Sequence, residues 1–198
     1  MVVINLASRL EEMIRLVDTA AFPGQPLKVV VVDTLPGSGE PQFGLGYIPE
    51  HPDQSFYFIF KKGLEQYFAA GKDFSIHTML EMEALARAFE SKAVYQTEEE
   101  ILLAASIHEV RHRVQFTCKV PLFDGKITSQ VLRCQYWTEV QARHYQSDSK
   151  GAYEFDAKFF EQYGAQELRQ KRLLLNAEDL GKLLHMTAEQ FLEREHKM

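Results

Sequence analysis

A long helix with an explicit start signal is the feature that most constrains the fold of this chain of 198 residues. The run Thr97-Glu98-Glu99-Glu100 offers a capping box and places negative charge at the positive end of the helix dipole. The residues that follow, from Ile101 to Ile107, are apolar or small and suit burial against a core. We therefore predict a buried helix from about Thr97 to about Phe116.

The second half of this helix contains the pentapeptide His108-Glu109-Val110-Arg111-His112. Four residues apart on a helix, His108 and His112 lie about 40° apart around the axis and about 6 Å along it, so both imidazoles can bind one ion. Glu109 is turned about 100° from His108, where it can accept a proton from water beside that ion. The pattern predicts one Zn²⁺ and hydrolysis of an amide bond, with Glu109 as general base.

A zinc site of this kind needs a third protein ligand from another part of the chain. Cys118 points away from the site on a continuing helix, so we expect it in the core. His144, followed by Asp148 in a polar loop, is one remaining candidate, because histidine is an acceptable ligand. Glu154 is the preferred candidate, because it opens a new helix after that loop and can present its carboxylate from a neighbouring element.

Two segments together carry a resemblance to a known family: HEVRHRVQ at 108–115 and YEFDAKFF at 153–160. They resemble the gluzincin-type minimal metallopeptidases, including the ImmA/IrrE-like proteins. In those proteins a helical HExxH is followed by a second helix with a glutamate, a small residue three positions on and then an aromatic. Glu154, Ala157 and Phe160 follow that order, and the resemblance covers about a third of the chain.

The resemblance implies a set of site residues in this chain. It implies that Glu109 is the general base and that the zinc ligands are His108, His112 and Glu154. Larger gluzincins carry an aspartate where this chain has Lys158, so a carboxylate that orients a ligand must be Asp156 or come from elsewhere.

The rest of the chain predicts a single domain, residues 1–198, of the α+β class. We expect a small mixed or antiparallel sheet packed on several helices, zincin-like, with a helical C-terminal third whose helices from about 165 form an accessory segment. The predicted helices are 5–21, 64–70, 76–89, a mixed helical stretch at 129–145, 152–163 and two or three short ones after it, with Asn176 and Thr187 as caps. The predicted strands are 27–33, which should be buried, and an antiparallel pair formed by 42–48 and 55–60. Residues 56–60 are either an edge that pairs with a peptide substrate or, by preference, an ordinary core strand.

Composition excludes several classes of function. The net charge of −6 and a pI near 5.7 argue against a nucleic-acid partner, and the chain has no apolar segment long enough to cross a membrane. The amino terminus lacks the features of a secretory signal, so we expect a cytoplasmic protein with Cys118 and Cys134 reduced. Neither a phosphate-binding glycine loop nor a serine nucleophile elbow is present.

These features favour a zinc-dependent peptidase that acts on a peptide or protein substrate. One alternative is a binding or regulatory protein that keeps the metal with weak or no hydrolysis. Another is a helical protein without metal, in which the histidine pair is incidental. The sequence leaves the substrate and the oligomeric state open.

Overall fold

A computed structural model describes residues 5–33, 45–48, 55–69, 97–118, 156–157, 160–161, 176–187 and 190. The helices of this part of the chain are α1 (Leu6–Ala21), α2 (Lys61–Ala69), α3 (Glu98–Cys118) and α4 (Ala177–His185). Its strands are β1 (Lys28–Val32), β2 (Leu45–Ile48) and β3 (Phe56–Phe60). Residues 156–157, 160–161 and 190 are also helical.

The first helix has the bounds that its apolar periodicity predicts. Asn5 caps α1 by accepting a hydrogen bond from the Ala7 N–H at 3.0 Å, and the chain leaves the helix towards Gly24 at φ 75°. Leu10, Ile14 and Val17, at helical spacing, are fully buried. This apolar stripe packs mainly on α3 and α4.

The three strands form one sheet in the order β1-β3-β2. β2 and β3 are antiparallel, with Tyr47 opposite Tyr57, so the predicted antiparallel pair is confirmed. β3 is the central strand and is largely buried, which makes it a core strand rather than a peptide-binding edge. β1 was predicted to be buried, but it lies at an edge and leaves Val31 44% exposed.

The fold class predicted from the sequence is wrong for the described residues. About 70% of them are helical, and the two longest strands, β1 and β3, pair in parallel rather than in an antiparallel sheet. The physical reason lies in α3, whose residues are buried from Glu100 to Gln115 with His112 alone half-buried. A helix buried on all sides must be covered on all sides, and here α1, α4 and the helical residues 156–157 and 160–161 cover much of it. The zincin-like sheet architecture is therefore replaced by a predominantly helical one.

The capping signals at the two later helices are confirmed. The Thr97 hydroxyl accepts a hydrogen bond from the Glu100 N–H at 3.2 Å, and α3 begins one residue later. Asn176 caps α4 in the same manner, by accepting from the Glu178 N–H at 2.9 Å. α4 packs against α1 and α3, so this part of the predicted accessory segment belongs to the same core.

A buried polar cluster joins α1, α3 and the sheet. The Asp18 carboxylate accepts hydrogen bonds from the Arg113 guanidinium at 2.6 Å, the Tyr57 hydroxyl at 2.7 Å and the Leu27 N–H at 3.2 Å. Burial, and then the negative charge of Asp18, raises the pKa of the Tyr57 phenol well above its ordinary value of 10.0. Arg113 directly follows the histidine motif, and the cluster connects it to α1 and to β3.

Some predictions lie outside the described residues: the helix 76–89, the polar loop 147–151 and Cys134. Among the helices that the structure does describe, none has both the length and the apolar character needed to cross a membrane.

Candidate metal centre

The two histidines of the pentapeptide face each other from successive turns of α3. Their Nε2 atoms are 3.1 Å apart, and their rings stand nearly perpendicular, at 83°. Two nitrogens that bind one tetrahedral zinc at 2.0–2.1 Å are separated by about 3.3 Å. The separation of the His108 and His112 nitrogens therefore matches the bite of a zinc ion to within about 0.2 Å.

Glu161 fixes the proton position on the first histidine. Its Oε2 atom is 2.9 Å from His108 Nδ1, and both side chains are buried. An ionised carboxylate only accepts hydrogen bonds, so it pairs with the tautomer in which Nδ1 carries the proton and donates a hydrogen bond to Glu161. The neutral ring then has its lone pair on Nε2, which faces His112.

Gln115 is the hydrogen-bond acceptor that fixes the orientation of the second histidine, His112. His112 Nδ1 lies 2.8 Å from the Oε1 atom of Gln115, and Gln115 Nε2 donates to Asp156 at 2.7 Å. Because a carboxylate accepts only, the amide nitrogen of Gln115 must face Asp156 and its oxygen must face His112. The His112 Nδ1 atom is therefore a donor, and its Nε2 lone pair also faces the other ring.

Two lone pairs at this separation repel each other unless a cation lies between them. A shared proton or a metal ion can fill that role, and nitrogen lone pairs oriented by hydrogen bonds at Nδ1 are the usual form of histidine zinc ligands. The donor set of His108 and His112 thus fits Zn²⁺ in separation, in tautomer and in orientation.

Glu109 lies between the helix and the sheet and is 8% exposed. Its Oε2 atom accepts a hydrogen bond from the Tyr47 N–H of β2 at 2.7 Å. The backbone of β2 therefore holds the carboxylate of Glu109, the predicted general base. On α3 this carboxylate lies on the side next to the one that bears the two histidines.

The remaining predicted residues differ in what the structure says of them. Asp156 is buried and contacts Arg111 and Gln115, so it is linked to His112 through one intervening side chain. Glu154 and His144 lie outside the described residues. Within the described residues, no group of three metal-binding side chains converges, so the two histidines are the ligands that this part of the chain provides.

Cys118 corrects another prediction. It was expected in the core, but it is an exposed free thiol at the end of α3, with its Sγ atom 3.8 Å from His185 Nδ1. It does lie away from the histidine pair, as the continuing helix predicts. The error arises because the covering elements extend only to Gln115, after which α3 is exposed.

Sequence reasoning missed the two side chains that orient the imidazoles. Gln115 follows His112 by three positions, which places the two on one face of a helix, so its role was accessible from the spacing. The contact of Glu161 with His108 spans 53 residues and depends on tertiary packing, so no local spacing indicates it.

Comparison of the chain with protein-family models, with curated proteins and with solved structures yields no match. The candidate metal centre therefore rests on the geometry of its own residues.

Proposed function

We propose that this protein is a zinc-dependent hydrolase, most specifically a peptidase, with His108 and His112 as two of its metal ligands. The observation that carries the proposal is the 3.1 Å separation of the two Nε2 atoms, with each Nδ1 atom bonded to an acceptor. An incidental histidine pair has no need for two buried side chains that direct both lone pairs to one point. A metal site does need such orientation.

The third ligand in this proposal is Glu154, and His144 is the alternative. Glu161, which orients His108, follows Glu154 by two helical turns, so a helix through both places them on the same face. If 154–161 form one continuous helix, the Glu154 carboxylate lies on the face that contacts His108. This spacing supports Glu154 over His144.

His108 and His112 would hold two positions of a zinc ion, which would supply Lewis acidity to a water and to the substrate carbonyl. Glu109 then acts as general base: it accepts the proton of the attacking water and passes it to the leaving nitrogen of the amide. The Tyr47 N–H orients the Glu109 carboxylate for both transfers. Glu161 and Gln115 accept hydrogen bonds at the two Nδ1 atoms, which would leave the Nε2 atoms of the neutral rings to bind the metal.

A peptide or protein substrate follows from the reaction class that the pentapeptide favours. A cytoplasmic location belongs to the same proposal.

The test is the variant Glu109→Gln, assayed for zinc content and for cleavage of a peptide library. The proposal expects zinc binding to be retained and cleavage to fall by at least about 100-fold, as for the loss of a general base. Glu178→Gln is the matched control, because Glu178 is an exposed glutamate of α4 outside the site.

Two outcomes contradict the enzymatic proposal. If wild-type protein with bound zinc cleaves no peptide, or if Glu109→Gln cleaves as fast as wild type, then hydrolysis by Glu109 is wrong. Retained zinc with no cleavage by either protein favours instead a binding protein that uses the metal for structure or recognition.

A further inference from the structure

We propose that Asp156 is a positioning residue for the metal site: it acts through the Gln115 amide to keep the His112 Nε2 lone pair directed at the metal. This inference rests on the proposed function. The observations behind it are the two successive hydrogen bonds, from His112 Nδ1 to Gln115 at 2.8 Å and from Gln115 Nε2 to Asp156 at 2.7 Å.

The need for Asp156 follows from the chemistry of a glutamine side chain. A primary amide has a donor end and an acceptor end of nearly the same shape, so Gln115 can present either end to His112. If the amide nitrogen faced His112, the ring would have to accept at Nδ1 and carry its proton on Nε2, which would block metal binding there. The Asp156 carboxylate excludes that orientation, because it can bond only to the amide nitrogen.

Asp156 is itself held rigidly. Arg111 binds its two oxygens from Nε at 2.5 Å and from Nη2 at 3.0 Å, and Arg111 Nη1 donates to the Leu184 carbonyl of α4 at 2.5 Å. The guanidinium also stacks on the Phe160 ring at 4.0 Å. Arg111, Asp156 and Gln115 are each no more than 2% exposed.

A buried ion pair of this kind is weak as a source of stability, because apolar residues of similar volume often serve as well. Its placement next to Gln115 gives it a second role, which is to fix the orientation of that amide. The chain also provides a natural comparison. Arg113 and Asp18 form a second buried ion pair, two residues further along α3, that has no hydrogen bond to the histidine pair among its described contacts.

The experiment compares the double variant Arg111→Met/Asp156→Leu with the control Arg113→Met/Asp18→Leu. Each removes one buried ion pair and leaves no charge unpaired, but only the first removes the acceptor of the Gln115 nitrogen. Zinc affinity, measured by competition with a chelator, is expected to fall about 10- to 100-fold in the first variant and to change little in the second. Equal affinities in the two variants would overturn the inference.

A rescue variant separates positioning from general damage to the fold. Adding Gln115→Glu to the Arg111→Met/Asp156→Leu background gives His112 a carboxylate that can only accept, so zinc affinity is expected to recover. If recovery is absent, Asp156 does not act through the tautomer. If the double variant fails to fold, Gln115→Met in the wild-type background removes the acceptor of His112 Nδ1 through which Asp156 would act, and an unchanged zinc affinity there also refutes the role.

A second readout does not depend on zinc or on catalysis. The ¹⁵N chemical shift of His112 in metal-free protein reports whether Nδ1 carries a proton. The inference expects a protonated Nδ1 in wild type and its loss in Arg111→Met/Asp156→Leu. If the wild type binds no zinc but carries a proton on His112 Nδ1, only the proposed function is refuted. If His112 Nδ1 carries no proton in the wild type, the role of Asp156 is refuted.

Discussion

Removal of one hydroxyl group from the centre of the sheet, by Tyr57→Phe, tests the buried polar cluster of Asp18, Tyr57 and Arg113. The Tyr57 hydroxyl is fully buried and donates to Asp18 at 2.7 Å. A hydrogen bond to a charged acceptor contributes about 1.5 to 3 kcal/mol. Because Arg113 and the Leu27 N–H still bind Asp18 in the variant, no charge is left unpaired, and we expect a loss near the lower end, about 1.5 to 2 kcal/mol. For a chain of this size that loss lowers the Tm by about 3 to 8 °C.

The same substitution changes how stability depends on pH. The pKa of the Tyr57 phenol is above 10.0 in the folded protein, because of burial first and of Asp18 second, whereas the unfolded chain ionises near the ordinary value. The contribution of Tyr57 is therefore fully present below about pH 10 and is lost as the pH rises through the folded-state pKa. The wild type therefore loses this part of its free energy of unfolding at alkaline pH, whereas Tyr57→Phe lacks the phenol and shows no such loss.

The assay is urea unfolding followed by circular dichroism, at about pH 7 and at a series of pH values above about 9, with a chelator present throughout. Tyr47→Phe is the control, because it removes a hydroxyl that is not a partner of Asp18 from the neighbouring strand. A difference of less than about 0.5 kcal/mol between Tyr57→Phe and wild type at neutral pH, or parallel loss of stability in alkali, would refute this description of the cluster.

Two further substitutions test the orientation of His108 and the packing of α4. Glu161→Gln replaces the carboxylate that binds His108 Nδ1, so zinc affinity in a chelator competition should fall about tenfold, and an unchanged affinity would contradict the orienting role. Gly181→Ala places a Cβ atom against the carbonyl oxygen of Ala20, where α4 meets α1. Despite a gain of about 1 kcal/mol in helix propensity, overpacking should make the variant less stable by about 1 to 2 kcal/mol in urea unfolding. If Gly181→Ala stabilised the protein, α4 and α1 would have to be farther apart at this point than the structure shows.

Local signals in the sequence predicted the helices well. The bounds of α1 and α3 follow from apolar spacing and, for α3, from Thr97 as the predicted cap, whereas the Asn5 cap of α1 was seen only in the structure. The balance between sheet and helix was not predictable in the same manner. Which elements cover α3 depends on contacts between distant segments, and these leave Val31 of β1 exposed at the sheet edge rather than buried.

In the candidate site, too, local geometry was predictable and long-range contacts were not. The relative position of His108 and His112 is a property of one helix, so their spacing determined it in advance. Their partners are a different matter: Glu161 lies 53 residues from His108, and Asp156 lies 45 residues from Arg111. Such pairs form only once the chain has folded, and no local pattern singles them out.

The most direct test of the metal centre is the zinc stoichiometry of protein purified without added metal and then equilibrated with zinc and dialysed. We predict about one zinc per chain for wild type and near zero for His108→Ala/His112→Ala, because two of the ligands are lost. His185→Ala, which removes a histidine of α4 bonded to the Ala21 carbonyl, should keep its zinc. A wild type without zinc after this treatment, or a double variant with as much zinc as wild type, would contradict a zinc site at His108 and His112.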